Sequence, residues 1–190
     1  VSLGIAFMPA AVVGLLTHTW IKGFLFGVWP VVGALAFGGV AMIGVEKERS
    51  RRNLVGFEGL DGVTPRRALV IGIAQCAALW PGMSRSMSTI VGGQLAGLST
   101  ATAAEFSFLL SLPTLGAACL FDLAQTGPAI LEAGNGPLPL AAGLLTSALV
   151  AWIVIGSFLR YLKSHGLIPF GIYRLVIAGV LAAVVLARQG

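Results

Sequence analysis

Charged residues are scarce in this chain. Only 10% of its 190 residues are Asp, Glu, Lys or Arg, whereas 57% are hydrophobic, and the mean hydropathy is +0.94. A water-soluble domain of this size needs many more charged side chains on its surface, so the composition excludes that class. Long apolar runs in place of charge indicate an all-α polytopic membrane protein, with residues 1–190 forming a single transmembrane domain.

Cysteine is equally scarce. Cys76 and Cys119 are the only two, and each lies alone in an apolar segment, which excludes a disulfide framework and a cysteine-based metal site. The net charge of +5 does not indicate nucleic acid as a partner. The basic residues stand in loops beside apolar segments, where such residues orient helices and meet anionic lipid.

The apolar segments divide the chain into predicted elements. Residues 1–16 and 25–45 are apolar, 46–67 form a charged loop that we place in the cytoplasm, and 68–98 form a further apolar segment. Residues 102–123, 138–161 and 167–187 are predicted transmembrane helices. Because Val1 already lies inside an apolar run and is not a methionine, we expect the chain to continue something longer.

The segment 68–98 has an unusual length. About thirty residues are too many for one span, while each half, divided at Pro81 and Gly82, is too short to cross a bilayer. A re-entrant helix-turn-helix hairpin resolves this, because both halves then enter and leave on the same face. Its non-helical turn must be buried in protein or face a water-filled cavity.

The distribution of charge supports the hairpin independently. If the segment returns to the cytoplasm, the loop 122–137, which has acidic and no basic residues, lies outside, while Arg160 and Lys163 lie inside. This arrangement satisfies the positive-inside rule for eight basic residues, with Lys22 and Arg188 outside as two exceptions, and a single crossing by 68–98 would violate it.

The hairpin turn contains the residues that most clearly predict a binding site. Pro81 and Gly82 end one helix, Ser84 stands at the N-cap of the next, and Arg85 follows it with uncharged residues on both sides. Free N–H groups at a helix start, a positive helix end and a forked guanidinium together predict a site for phosphate or another anion. The alternative is a structural arginine that pairs with a buried carboxylate.

This stretch resembles a known family. Pro81-Gly82-Met83-Ser84-Arg85-Ser86, followed by Thr89, is similar to the PGxSRSxxT signature of bacterial undecaprenyl pyrophosphate phosphatase, which is associated with bacitracin resistance. The segments 72–76, 104–110 and 169–174 also resemble that family, so the similarity covers nearly the whole chain. Met87 departs from the pattern, because the family more often has a glycine there.

The resemblance implies a fold and a reaction. The family fold has two inverted repeats, each with a re-entrant hairpin, and this chain corresponds to the later part, as an N-terminally truncated member. The implied reaction is hydrolysis of undecaprenyl diphosphate to the monophosphate and phosphate, which recycles the lipid carrier of peptidoglycan synthesis. The family's E-x-x-x-E motif is absent, so ligands of the implied divalent cation, Mg²⁺ or Ca²⁺, are expected in a missing N-terminal part and none in this fragment.

The resemblance and the charge pattern suggest a role for each residue. Arg85, Ser84, Ser86 and Thr89 are the predicted catalytic residues, and Gly82 joins the first three as a predicted phosphate-binding residue. Glu105 either supports Arg85 or only caps its own helix. Arg174, in the last span, either pairs with a carboxylate or lines a cavity, and the sequence leaves both open.

Two other functions remain open at this point. Re-entrant half-helices also hold anions in transporters, so a carrier of lipid phosphate or another anion is an alternative. The other alternative is that the chain is an inactive fragment of the phosphatase. The expected partners are a polyprenyl diphosphate lipid and the bacterial inner membrane, with no nucleic acid, and the sequence leaves the oligomeric state open.

Overall fold

The computed structural model of the chain describes residues 1–132 and 137–189. Its helices are α1 (Ser2–Phe24), α2 (Val28–Arg51), α3 (Pro65–Cys76), α4 (Arg85–Leu95), α5 (Thr100–Glu132), α6 (Pro137–His165) and α7 (Ile168–Gln189). Within these residues the only β-type pairing is a single bridge between Phe57 and Leu98. The protein is therefore an all-α polytopic membrane protein, as the composition predicts.

Four of the helices are long and apolar enough to cross a membrane. They span Val28–Arg51, Thr100–Gly127, Leu138–His165 and Ile168–Arg188, and a shorter apolar helix covers Ser2–Thr17. α1, α2 and α5 run well beyond the predicted apolar segments, and α1 continues past residue 16 to Phe24. α2 continues through Glu46 to Arg51, so the first charged residues of the 46–67 segment are helical. α5 extends past residue 123 to Glu132, and residues 133–136 of the expected outer loop lie outside the described part.

The segment between Pro65 and Leu95 folds back on itself. α3 and α4 pack along each other, so closely that a side chain at Gly92 would meet the Ala74 Cβ at 2.5 Å. The two outer ends of the pair also lie together, because the Arg67 guanidinium donates to the Ala96 carbonyl at 3.1 Å and to the Gly62 carbonyl at 2.6 Å. We call this end, residues 56–67 and 95–99, the hairpin base.

Helix α1 lies beside the hairpin, and the contacts between them show how far the hairpin extends along α1. Ser2 donates to the Val63 carbonyl at the base, Ala6 contacts Gly72, and Gly14 contacts Leu79 near the turn. From Gly14 the helix continues to Phe24, which adds roughly 15 Å at 1.5 Å per residue. The hairpin thus covers little more than half the length of its neighbour.

The hairpin turn lies against the interior of three other helices. Val31 of α2 contacts Gly82, Ser107 of α5 accepts a hydrogen bond from Arg85, and Arg174 of α7 reaches the turn carbonyls. The buried core continues from this level toward the base through Met87, Ile90 and Leu98 and the facing residues Ala103, Phe106 and Leu110. The fold therefore holds a non-helical turn inside a bundle of apolar helices.

Candidate functional site

The turn between α3 and α4 has two residues in the left-handed region. Gly82 has φ +93° and Ser84 has φ 70°. A side chain at position 82 is excluded on two counts, because its Cβ would also lie 2.8 Å from the Val31 carbonyl oxygen. Gly82 therefore lets the turn approach α2 closely, which is a backbone role in addition to the predicted phosphate contact.

Ser84 caps the start of α4. Its hydroxyl accepts a long hydrogen bond of 3.4 Å from the Met87 amide, and its carbonyl accepts from the Ser88 amide and hydroxyl at 3.1 and 3.0 Å. The amides of Arg85 and Ser86 stand at the first two helical positions, where no carbonyl of the helix reaches them. Ser84 is exposed, and the Ser86 hydroxyl has no protein partner in the described part of the chain.

Arg85 is half-buried and points toward α5. Its Nη1 donates to the Ser107 carbonyl at 3.1 Å. Thr89 lies beneath it, fully buried, with its hydroxyl 2.6 Å from the Ser107 hydroxyl and donating toward the carbonyls of Arg85 and Ser86 at 2.9 and 3.1 Å. Thr89 thus fastens the first turn of α4 to α5, and neither its hydroxyl nor the Arg85 guanidinium lines the cavity beside Ser84 and Ser86.

Arg174 approaches the same turn from the other side. Its Nη2 donates to the carbonyls of Gly82 at 2.8 Å and Met83 at 3.0 Å, and the Ala34 carbonyl of α2 lies 3.4 Å away. Together with Ser84 and Ser86 it lines a cavity of about 370 Å³. Of the two roles that the sequence leaves open for Arg174, lining a cavity is the one the structure shows.

In the described part of the chain, Arg85 and Arg174 have no carboxylate partner. Within residues 1–132 and 137–189 both ion pairs involve Glu48, which is bound by Arg51 and Arg52 at the exposed end of α2. Glu105, a predicted support for Arg85, lines a separate cavity of about 840 Å³ near the base with Glu46, Glu58 and Lys163. Two uncompensated guanidinium groups in an apolar bundle favour an anionic ligand.

The donors around the turn do not suit a divalent cation. Among the described residues no group of three or more His, Cys, Asp or Glu side chains comes together to hold a metal. Around the turn, the carbonyls of Gly82 and Met83 already accept from Arg174, and the remaining polar groups are hydroxyls, amides and guanidiniums. Such a set binds oxygen anions, whereas the protein ligands of Mg²⁺ and Ca²⁺ are mainly carboxylate and carbonyl oxygens.

The sequence of the chain is similar to known proteins over nearly its whole length. The sequence model of the family described as bacitracin resistance protein BacA matches residues 1–180. A protein of Sorangium cellulosum named undecaprenyl-diphosphatase is 59% identical over 179 residues, which cover 94% of this chain and 58% of the relative.

More distant relatives carry the same name. The undecaprenyl-diphosphatase of Thermoanaerobacter pseudethanolicus is 46% identical over 187 residues, covering 97% of this chain and 67% of the relative. That of Campylobacter jejuni is 38% identical over 178 residues, covering 94% and 66%. The chain thus spans about three fifths to two thirds of the length of these relatives.

Proposed function

The chain belongs to the family of bacitracin resistance protein BacA, and from that premise we propose that it carries the arginine-bearing half of an undecaprenyl-diphosphate phosphatase site. The proposed reaction is hydrolysis of the diphosphate of a polyprenyl lipid to the monophosphate and inorganic phosphate. The relatives named undecaprenyl-diphosphatase support this substrate, because they are up to 59% identical to the chain.

The observation that supports the proposal best is the pair of arginines around a broken helix. Phosphoryl transfer spreads negative charge over the oxygens of the transferring group, so preorganised positive donors supply most of the catalysis. Arg85 and Arg174 flank one turn without any carboxylate partner in the described chain, and an apolar bundle strengthens their attraction for phosphate.

The residues of the turn then have distinct roles. Arg85 approaches the transferring phosphoryl group from the α5 side of the turn, outside the cavity that Arg174 lines, and Ser84, Ser86 and the free amides at the start of α4 donate to its oxygens. Gly82 holds the turn close to α2, and Thr89 is a positioning residue that keeps Arg85 facing α5 through Ser107. Glu105 has no part in this site, because it lines the cavity near the base.

We place the protein in the bacterial inner membrane with the hairpin base in the cytoplasm. α3 has 12 residues and is therefore about 18 Å long, whereas the hydrocarbon core is about 30 Å thick. The adjacent ends of the hairpin and its shallow depth beside α1 support a re-entrant loop, which is the arrangement that tolerates non-helical backbone at this depth.

The divalent cation implied by the family remains a proposal. It would neutralise phosphate charge during the reaction, but the described residues around the turn do not fit it, so no step of this site depends on it. Phosphate release measured in EDTA with Mg²⁺ or Ca²⁺ added back tests the requirement directly.

Phosphate release from undecaprenyl diphosphate in detergent tests the proposed function. Arg85→Ala is expected to lower turnover on the order of a hundredfold or more, the effect of removing one preorganised donor. Arg66→Ala is the matched control, since Arg66 is exposed at the start of α3 and is expected to leave turnover unchanged.

Neither alternative function releases phosphate in this assay, so turnover separates the phosphatase from both. A pure carrier would release no phosphate, because detergent leaves no second compartment. A catalytically inactive fragment would bind the diphosphate without turnover. Equal turnover in Arg85→Ala and Arg66→Ala would remove Arg85 from the mechanism.

A further inference from the structure

The cavity beside the turn is polar at one end and apolar along the rest of its length. Its polar end is formed by Ser84, Ser86 and Arg174, and its walls become apolar away from them. The apolar walls, which we call the aromatic channel, include Met42, Met87, Ile90, Val154, Phe158 and Phe170. A ligand that fits both parts has an anionic head and an apolar chain attached to it.

The aromatic channel has a rigid wall. The Phe158 ring packs edge-on against Phe108 at 5.7 Å between centroids and against Phe170 at 5.1 Å, while Tyr161 supports Phe170 from the far side at 5.7 Å. These contacts join α5, α6 and α7 at one level. Interlocked rings of this kind keep their shape and present flat apolar faces to a ligand.

The channel also has a direction. From Ser86 it passes Ile90, one helical turn closer to the base, and reaches Phe170 near the start of α7. Its rim includes Val154 of α6, which is 56% exposed, so the channel reaches the outer surface of the helix bundle in the described chain. A lipid with its head at the turn would therefore lay its chain along the wall formed by Phe158 and Phe170 and leave the bundle beside Val154.

We propose that the aromatic channel binds the isoprene units nearest the diphosphate, with Phe158 and Phe170 as the residues that determine specificity for the prenyl chain. The inference rests on the proposed function, because it takes the same lipid as the occupant. Continuity with the cationic turn selects this occupant, since the polar end fits a diphosphate and the attached walls fit a branched hydrocarbon. The channel thus recognises the prenyl chain of the substrate, while the turn recognises its diphosphate.

Partial filling of the channel tests the proposal. Val154→Trp places an indole at the rim, whereas Ile153→Trp places it on the neighbouring residue of α6, which is 63% exposed and does not line the channel. Val154→Trp is expected to raise the KM for undecaprenyl diphosphate on the order of tenfold with little change in kcat, because it competes with the chain and not with the reacting phosphate. Ile153→Trp is expected to change neither constant.

Photolabelling locates the chain independently of turnover. A polyprenyl diphosphate with a diazirine in the isoprene unit next to the head is expected to label peptides that contain Phe158 or Phe170. Labelling should fall with unlabelled polyprenyl diphosphate and in Val154→Trp, and should persist in Ile153→Trp. Labelling elsewhere, or displacement by phosphatidylglycerol as effective as by the unlabelled lipid, would overturn the proposal.

The two readouts separate this inference from the proposed function. Specific labelling without phosphate release would retain the channel and reject the hydrolase. Phosphate release with identical kinetics in the two tryptophan variants would retain the hydrolase and reject the channel.

Discussion

Ser84, a predicted phosphate-binding residue, has a strained backbone. Its φ of 70° and ψ of 120° lie in a region that side chains other than glycine rarely occupy, at a cost of about 1 to 3 kcal/mol. The N-cap hydrogen bond of the serine hydroxyl offsets little of this strain energy, because its distance to the Met87 amide is long at 3.4 Å. A glycine at this position would satisfy the backbone better, which is consistent with the proposed role of the hydroxyl as a phosphate donor.

Substitution of Ser84 separates these contributions. Ser84→Gly is expected to raise the free energy of unfolding by about 1 kcal/mol, because relief of strain exceeds the loss of the cap. The same variant is expected to lower phosphate release, since a donor is lost. Ser84→Ala keeps the strain and loses the cap, so it should lower both quantities. Thermal unfolding in detergent and the phosphate assay measure the two effects, and unchanged turnover in Ser84→Gly would contradict the role of the hydroxyl.

At the same scale, the sequence predicts the site only in part. Spacing brings Ser84, Arg85 and Ser86 to one helix start, because neighbours in a turn stay together in any fold. It does not predict that Thr89 faces α5, since the direction of a buried hydroxyl depends on its partner, Ser107. Arg174 is 92 residues from Gly82 along the chain, and only the packing of α7 against α2 brings it to the turn.

At the scale of helices, the hairpin follows from local sequence and its anchoring does not. Pro81 and Gly82 predict the break in the helix because one removes a donor and the other permits positive φ. The base is fixed by contacts distant in sequence, since the guanidiniums of Arg49 and Arg67 donate to the carbonyls of Gln94 and Ala96 at the end of α4. The end of α2 also extends beyond the apolar segment, because the Glu, Lys and Arg residues from Glu46 to Arg51 favour helix.

The approach of α2 to α7 leads to a prediction at Gly38. A Cβ there would lie 2.6 Å from the Arg174 Nη2 and 2.8 Å from the Met87 Cε, so Gly38→Ala must displace one of them. We expect turnover to fall roughly ten- to a hundredfold, because a shift of about 1 Å in a positioning group has that effect. Gly44→Ala is the control, since nothing lies within 4 Å of its added Cβ on the same helix.

The two alanine variants also separate packing from helix propensity. Both replace glycine within α2, so both gain a similar propensity of about 1 kcal/mol. Gly44→Ala should therefore unfold at the same or a higher temperature with normal turnover. Equal turnover in the two variants would show that the contact between Gly38 and Arg174 does not position the turn.

On the scale of the whole molecule, charge is concentrated at one end of the bundle. Eight basic residues lie at or near the hairpin base: Lys47, Arg49, Arg51, Arg52, Arg66, Arg67, Arg160 and Lys163. α5 runs from Thr100 at the base to Glu132 at the opposite end, and its far half carries Asp122 and Glu132. If the basic end faces the cytoplasm, the cationic turn is reached from the outside and the aromatic channel descends into the inner leaflet.

Cysteine labelling in intact bacteria tests this orientation together with the re-entrant hairpin. In a background with Cys76→Ala and Cys119→Ala, single cysteines are placed at Arg66 and Leu95, at the two ends of the hairpin, and at Thr126 in the far half of α5. A membrane-impermeant maleimide is expected to label Thr126→Cys in intact cells, and Arg66→Cys and Leu95→Cys only after the membrane is opened. Labelling of Arg66→Cys and Leu95→Cys from opposite faces would mean that residues 65–95 cross the bilayer. The turn would then lose the same-side geometry on which the proposed site depends.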